Sequence, residues 1–300
     1  MKAFASSLSA SPSSEKAGVG VVLELIKVRL TSLVLLTTLV GFYLGSRGVP
    51  DYGLMFHALL ATGLVASGAA ALNQLIEREH DAKMPRTSGR PLPSGRVQPE
   101  TVLIFGVVCA ISGLMYLAWA VNGLTCLLGA VTLVTYLFVY TPLKRVTSLN
   151  TLIGAVPGAL PPVMGWTASH GQASLEGWSL FAILFMWQIP HFLAIAWLYK
   201  DEYAQAGYAM LPVLDETGKR TCFHVCLSAV GLLGTSLCPF FLSLTGNVYL
   251  AGILVLNFAF LALSVRFCRQ LTRTHARQLF FASIIFLPML LTLTVLDKTQ

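Results

Sequence analysis

Nine stretches of about 20 mostly apolar residues, separated by short polar breaks, constrain this chain more than any other feature, because about 20 such residues in a helix cross a hydrocarbon layer. They fall near 25–45, 54–78, 101–119, 122–141, 149–168, 177–199, 221–244, 247–266 and 278–296. Charged residues make up only 11% of the 300 residues, against about 25% in soluble domains. A water-exposed surface of this size cannot be built from so few charges. The pattern predicts an all-α, polytopic membrane protein with about nine transmembrane helices. Residues 19–300 form one transmembrane domain, preceded by a disordered cytoplasmic tail at 1–18.

The basic residues support this division. All but Arg47 and Lys298 of the 20 Lys and Arg residues lie in the tail or in alternate loops. Positive charge is retained on the cytoplasmic side, so the expected orientation is N-in, C-out. The net charge of +7 then reports topology, and nucleic acid is not an expected partner. The six cysteines contain no CxxC pair, which removes the usual spacing of zinc and redox sites. The two long loops, 79–100 and 200–220, fall on the same expected inner side and hold charges of both signs. Long loops in compact domains tend to carry function.

The second apolar stretch closes on Asn73-Gln74-Leu75-Ile76-Glu77-Arg78-Glu79-His80-Asp81. Asn73, Glu77 and Asp81 are four apart, so a helix sets them on one face, about 40° apart per step. An amide and two carboxylates suit Mg²⁺, which takes one or two carboxylates together with substrate phosphates. A solvated helix end is the plainer alternative. Asn73 argues against it, because it sits inside the apolar run and needs a partner there. The following loop repeats Pro and Gly and carries Arg86, Arg90 and Arg96. Guanidinium forks match phosphate oxygens, although the same charges also serve topology.

A second acidic pair, Asp201 and Glu202, follows the sixth stretch, with Lys200 before it. Two acidic helix ends on one membrane side predict two halves of one site gripping a metal-bound diphosphate. Within the sixth stretch His191 stands beside Pro190, which kinks a helix; it is either an acceptor contact or a packing group. Lys144 and Arg145 end the fourth stretch and can reach a phosphate from the same side. The fifth contains Pro157, Gly158, Pro161 and Pro162, which predicts an irregular helix. A transporter reading would need polar groups near the membrane midplane; here they gather at one face.

These residues carry a resemblance over about 25–296. Asn73-x3-Glu77-x3-Asp81 with Met84-Pro85-Arg86-Thr87, Tyr140-Thr141-Pro142-Leu143-Lys144-Arg145, Pro190-His191-Phe192, and Tyr199-Lys200-Asp201-Glu202-Tyr203-x3-Gly207-x2-Met210-Leu211-Pro212-Val213 resemble the UbiA-type intramembrane prenyltransferases. Within them they are most similar to the protohaem IX farnesyltransferase branch. The resemblance implies helices around a central cavity, farnesyl diphosphate as donor, haem b as acceptor and substrate, Mg²⁺ as cofactor, and a bacterial cytoplasmic membrane. It implies Asn73, Glu77 and Asp81 as catalytic metal ligands, with Asp201 and Glu202 as a second metal pair. Arg86, Arg90, Lys144, Arg145 and Lys200 would bind diphosphate, and His191 and Tyr199 would meet the haem. A haem A synthase or terminal oxidase assembly proteins are the implied partners. The chain departs from the family in having Glu77 and Glu79 where Asp is usual. It also has Tyr199 and Tyr203 where quinone-type relatives place carboxylates four apart.

Overall fold

A computed structural model of the protein describes residues 12–299. The helices are α1 (Pro12–Leu25), α2 (Val28–Gly45), α3 (Tyr52–Asp81), α4 (Pro99–Ala120) and α5 (Gly123–Val134). A π-helical stretch, Thr135–Tyr140, joins α5 to the short α6 (Thr141–Leu143). Then come α7 (Asn150–Ala159), α8 (Pro161–His170), α9 (Leu175–Leu198), α10 (Lys200–Gln205) and α11 (Leu211–Leu214). The chain ends with α12 (Lys219–Phe241), α13 (Asn247–Gln270) and α14 (Arg273–Leu296).

Eight spans among the described residues are long and apolar enough to cross a membrane. The expected fifth span is present as α7 and α8, ten residues each. Its break falls at Leu160, just before Pro161, because proline supplies no backbone donor and clashes with the preceding turn. Helix α1 begins at Pro12, inside the stretch expected as a tail; residues 1–11 lie outside the described residues.

Small residues set the closest helix contacts. A methyl group on Gly165 of α8 would run into the Thr38 carbonyl of α2, and one on Gly41 into the Pro162 carbonyl. On the α3–α4 seam, a Cβ at Gly68 would stand 2.6 Å from the Ala110 nitrogen and the Gly106 carbonyl. Lipid gives helices no hydrophobic drive to associate, so close backbone approach through small residues supplies the dispersion contact. The outward faces carry exposed apolar groups such as Ile104, Trp119, Phe138 and Val255, as a lipid-facing surface requires.

One end of the bundle is tied together by its loops. The Arg96 guanidinium grips the Glu24 carboxylate, and Ala209 N–H donates to the Lys144 carbonyl at 2.7 Å. The Asn150 amide donates to the carbonyls of Thr147 (2.6 Å) and Ala209 (2.9 Å). At the opposite end Lys298 Nζ donates to the carbonyls of Tyr43 and Ser46. The long basic loops thus share one face, and the cavity opens beneath them.

Candidate active site

The C-terminal turns of α3 form one wall of a cavity of about 360 Å³. Asn73, Glu77 and Asp81 all line it and all are buried, at 0, 4 and 1% exposure. Helical spacing of four produces this stack, as the sequence pattern predicts. A buried carboxylate needs a partner, and each of the three oxygen-bearing groups has its own cation. Lys27 Nζ donates to Asn73 Oδ1 at 2.7 Å, Lys144 Nζ to Glu77 Oε1 at 2.7 Å and Arg90 Nη1 to Asp81 Oδ2 at 2.6 Å.

Local backbone features place those cations. Lys27 sits in the left-handed region, with φ +49° and ψ +57°, which is uncommon for a residue with a Cβ and marks a constrained position. The Gln74 amide holds that turn by donating to the carbonyls of Glu24 (3.1 Å) and Leu25 (2.8 Å). Gln74 thus closes the end of α1 and directs Lys27 onto its neighbour Asn73. Asn73 also donates to Thr141 Oγ1 at 3.1 Å, and Thr141 in turn donates to the Tyr136 carbonyl. The π-helical stretch carries the stacked rings of Tyr136 and Tyr140, 5.7 Å apart. Such stretches occur frequently at functional sites. The Lys144 ammonium lies 4.5 Å from the Tyr140 ring centre. Burial alone would lower the Lys144 pKa, but the Glu77 carboxylate outweighs it and holds the ammonium well above its usual range.

The loop after α3 folds back over the cavity. Thr87 Oγ1 donates to the Asp81 carbonyl at 2.8 Å, and Arg86 and Arg90 both line the pocket. The Arg86 side chain packs over the rings of Tyr199 (5.0 Å) and Tyr203 (5.8 Å) and donates to Tyr203 Oη at 3.2 Å. The charged lining residues are therefore four cations, Lys27, Arg86, Arg90 and Lys144, against the carboxylates Glu77 and Asp81. Below this polar end the lining is apolar, with Val34, Ala66, Ala69, Ala70, Leu133, Met164, Leu184 and Leu287. His191, Gln188 and Trp187 of α9 line the far wall.

Several residues expected at the site stand elsewhere. Asp201 is exposed and Glu202 is half-buried. Neither lines the cavity, and Glu202 Oε2 instead accepts from the Arg86 N–H at 3.4 Å. The cause is a break at Tyr199, whose φ −112° and ψ +28° end α9 and turn the register of α10. Tyr199 consequently lies under Arg86 and not in the lining, and Lys200 packs over Trp197 at 5.4 Å. Arg145 donates to the Ile76 carbonyl at 3.2 Å on the outer side of α3. It is the loop after α3, not the helix end itself, that meets α10, through Arg86 against Tyr203 and Glu202. Among the described residues no group of three or more His, Cys, Asp or Glu is placed to share a metal. The donor set that fits one is the Asn73 amide with the Glu77 and Asp81 carboxylates. These are hard oxygens of the kind Mg²⁺ takes; here each is hydrogen-bonded by Lys27, Lys144 or Arg90, which would have to turn away for a metal to enter.

Lys27, Tyr136, Tyr203 and Tyr208 also line the cavity and were not anticipated from the sequence. The one available signal was the four-residue spacing of Tyr136 and Tyr140 at the end of a span.

The chain is 44% identical over 285 residues to a protein of Solibacter usitatus named protoheme IX farnesyltransferase, covering 92% of this chain and 98% of that one. Proteins of the same name are 45% identical in Myxococcus xanthus, covering 92% and 94% of the two chains, and 39% identical in Aquifex aeolicus, covering 93% and 95%. Among solved structures, a digeranylgeranylglyceryl phosphate synthase shares the fold with a TM-score of 0.80 at 16% identity, over 93% of this chain and 98% of that one. A UbiA homologue from Archaeoglobus fulgidus bound to DMAPP and Mg²⁺ superposes with a TM-score of 0.64 at 14% identity, over 91% and 98%. Residues 34–287 match the UbiA prenyltransferase family, and the chain belongs to that family.

Proposed function

We propose that the protein transfers the farnesyl group of farnesyl diphosphate to a vinyl group of haem b, giving haem O and diphosphate. The observation that carries this reading is the polarity of the cavity: one end holds an amide, two carboxylates and four basic side chains, and the rest carries no charged side chain and is mostly apolar, with a few threonines, Gln188 and His191. That division matches a molecule with a highly charged head and a hydrocarbon tail. The relatives named for haem farnesylation, similar along nearly the whole chain, support haem as the acceptor.

Asn73, Glu77 and Asp81 would hold Mg²⁺, whose charge stabilises diphosphate as a leaving group. Lys144 and Arg90 now neutralise Glu77 and Asp81, and Lys27 donates to the Asn73 amide oxygen. With Arg86 they can turn to the diphosphate oxygens by charge-assisted hydrogen bonds. The C1–O bond of the donor breaks heterolytically, and the electron pair leaves with diphosphate into this cationic end. Tyr136 and Tyr140 line the cavity near these groups, and an aromatic face favours positive charge. The apolar lining excludes water from the allylic cation, which hydrolysis would otherwise consume. The vinyl π bond attacks C1, and water then adds to the new carbocation with loss of one proton, leaving a hydroxyethylfarnesyl group.

The basic-loop face is assigned to the cytoplasm of a bacterial inner membrane, with the N-terminus in and the C-terminus out. Haem O then passes to a haem A synthase or to terminal-oxidase assembly. The test is haem O formation, read by mass spectrometry, in membranes supplied with haem b, farnesyl diphosphate and Mg²⁺. Glu77→Gln and Asp81→Asn should each reduce it by at least a hundredfold. Unimpaired product in both variants overturns the metal assignment, and no product from the parent protein overturns the reaction.

A further inference from the structure

The far wall of the cavity holds a histidine whose tautomer is fixed. His191 Nδ1 lies 2.7 Å from Ser283 Oγ on α14. Ser283 Oγ in turn lies 2.5 Å from the Phe280 carbonyl. A hydroxyl has one proton and a carbonyl has none, so the serine proton is committed to Phe280. The His191–Ser283 contact is then a hydrogen bond only if Nδ1 carries a hydrogen and donates it. In the neutral ring that leaves the lone pair on Nε2. Among the described residues Nε2 has no protein partner, while the ring lines the cavity.

The ring is also held in orientation. Trp187 stacks on it at 5.1 Å and 19°, and Phe280 lies 5.2 Å away at 31°. Trp187 Nε1 donates to the Ser283 carbonyl at 3.0 Å, so α9 and α14 are pinned at this same point. An imidazole that donates one N–H to a fixed acceptor and presents the other nitrogen to open space is the usual arrangement of a metal-ligating histidine. Iron in a porphyrin has axial positions that a neutral imidazole fills.

We propose that Ser283 is a positioning residue: it fixes His191 as the Nδ1–H tautomer, so that Nε2 coordinates the iron of the haem acceptor and anchors the macrocycle on the α9 wall. This rests on the haem-farnesylating reading. It adds the atom that holds the acceptor and the residue that aims that atom.

The experiment uses the full chain purified in detergent, with ferric haem b added and no prenyl donor. The readouts are the Soret and electron paramagnetic resonance spectra and the haem dissociation constant. The parent protein should show nitrogen ligation. His191→Gly should lose it and regain it with added imidazole. Ser283→Ala should weaken haem binding about ten- to a hundredfold, as loss of a hydrogen bond to a ligating histidine does elsewhere, with an altered ligand signature. Ser283→Thr, which keeps the hydroxyl, should restore both, and this restoration separates positioning from a packing defect. Spectra unchanged by His191→Gly, or a parent-like Ser283→Ala, overturn the proposal. Haem O formation is assayed in parallel. If the parent makes haem O while its haem spectrum ignores His191, the axial assignment fails alone; if it makes none, the acceptor reading fails.

Discussion

At the scale of single residues, the site is a set of three matched pairs. Each oxygen-bearing side chain of α3 faces a cation drawn from a different part of the chain: Lys27 before α2, Lys144 after α6 and Arg90 in the loop after α3. A hydrogen bond involving a charged group contributes about 1.5–3 kcal/mol, or roughly ten- to a hundredfold in binding. Lys27→Met should therefore raise the KM for farnesyl diphosphate by about that factor while the protein remains folded, as steady-state kinetics at saturating haem would show. An unchanged KM would remove Lys27 from the head-group site. The α3 half of these pairs was legible in the sequence, because a four-residue period on a helix is a local rule. Lys27 was not, since it stands 46 positions from its partner and its charge fits the topology pattern equally well. Lys144 and Arg145 are adjacent and chemically similar, yet only Lys144 enters the cavity. Which of two neighbours points inward depends on the π-helical stretch before them, and residue identity does not reveal that.

At the scale of elements, the apolar blocks located the membrane helices because hydrocarbon thickness fixes their length. That the fifth span is irregular was also readable, from Pro157, Gly158, Pro161 and Pro162, but its division into α7 and α8 was not, since Pro157 stays inside α7. The turn at Tyr199 was not, because nothing in Leu198-Tyr199-Lys200 forbids another helical turn; the aromatic contacts with Arg86 override local propensity. Two predictions belong at this scale. Gly165→Ala places a methyl against the Thr38 carbonyl, and a backbone carbonyl cannot rotate aside. The α2–α8 seam must open, at a cost of about 1–3 kcal/mol, which should appear as a lower thermal midpoint in detergent. Asp215 closes the loop before α12, accepting from Thr221 N–H at 2.8 Å and Thr221 Oγ1 at 2.9 Å. Burial alone would raise its pKa, but the hydrogen bonds from Thr221 and Thr217 outweigh this and hold it below the usual value. The unfolded chain therefore binds the proton more tightly. The contribution of Asp215 is complete above its unfolded value of about 3.9 and is lost as pH falls through the lower folded value. The thermal midpoints of the parent and Asp215→Asn, compared from pH 6 to 3, should differ most at the high end and converge at the low end. A constant gap would mean that this carboxylate is not what the loop depends on.

At the scale of the whole molecule, the cavity has a direction. Its charged end is closed by the loops that tie the bundle together, and its apolar part follows one face of α3 through Ala70, Ala69, Ala66, Val65 and Thr62. From Asn73 to Thr62 is about three helical turns of 5.4 Å each, and an extended isoprene unit is about as long as one turn. With the diphosphate at Asn73, Glu77 and Asp81, a three-unit chain lying along α3 ends near Val65 and Thr62. Val65 packs there against Met164, Val163 and Leu160 of the α7–α8 region, so the broken span forms the floor. The small side chains of Ala69 and Ala66 keep the groove open along its length. Ala66→Phe fills the space of the last unit while leaving the charged end untouched. It should favour geranyl over farnesyl diphosphate, shifting the ratio of kcat/KM for the two donors by tenfold or more, since the chain end and the new ring cannot share one volume. Equal loss with both donors would mean that the prenyl chain runs instead along α9, and the depth of the groove beside α3 would then not set donor length.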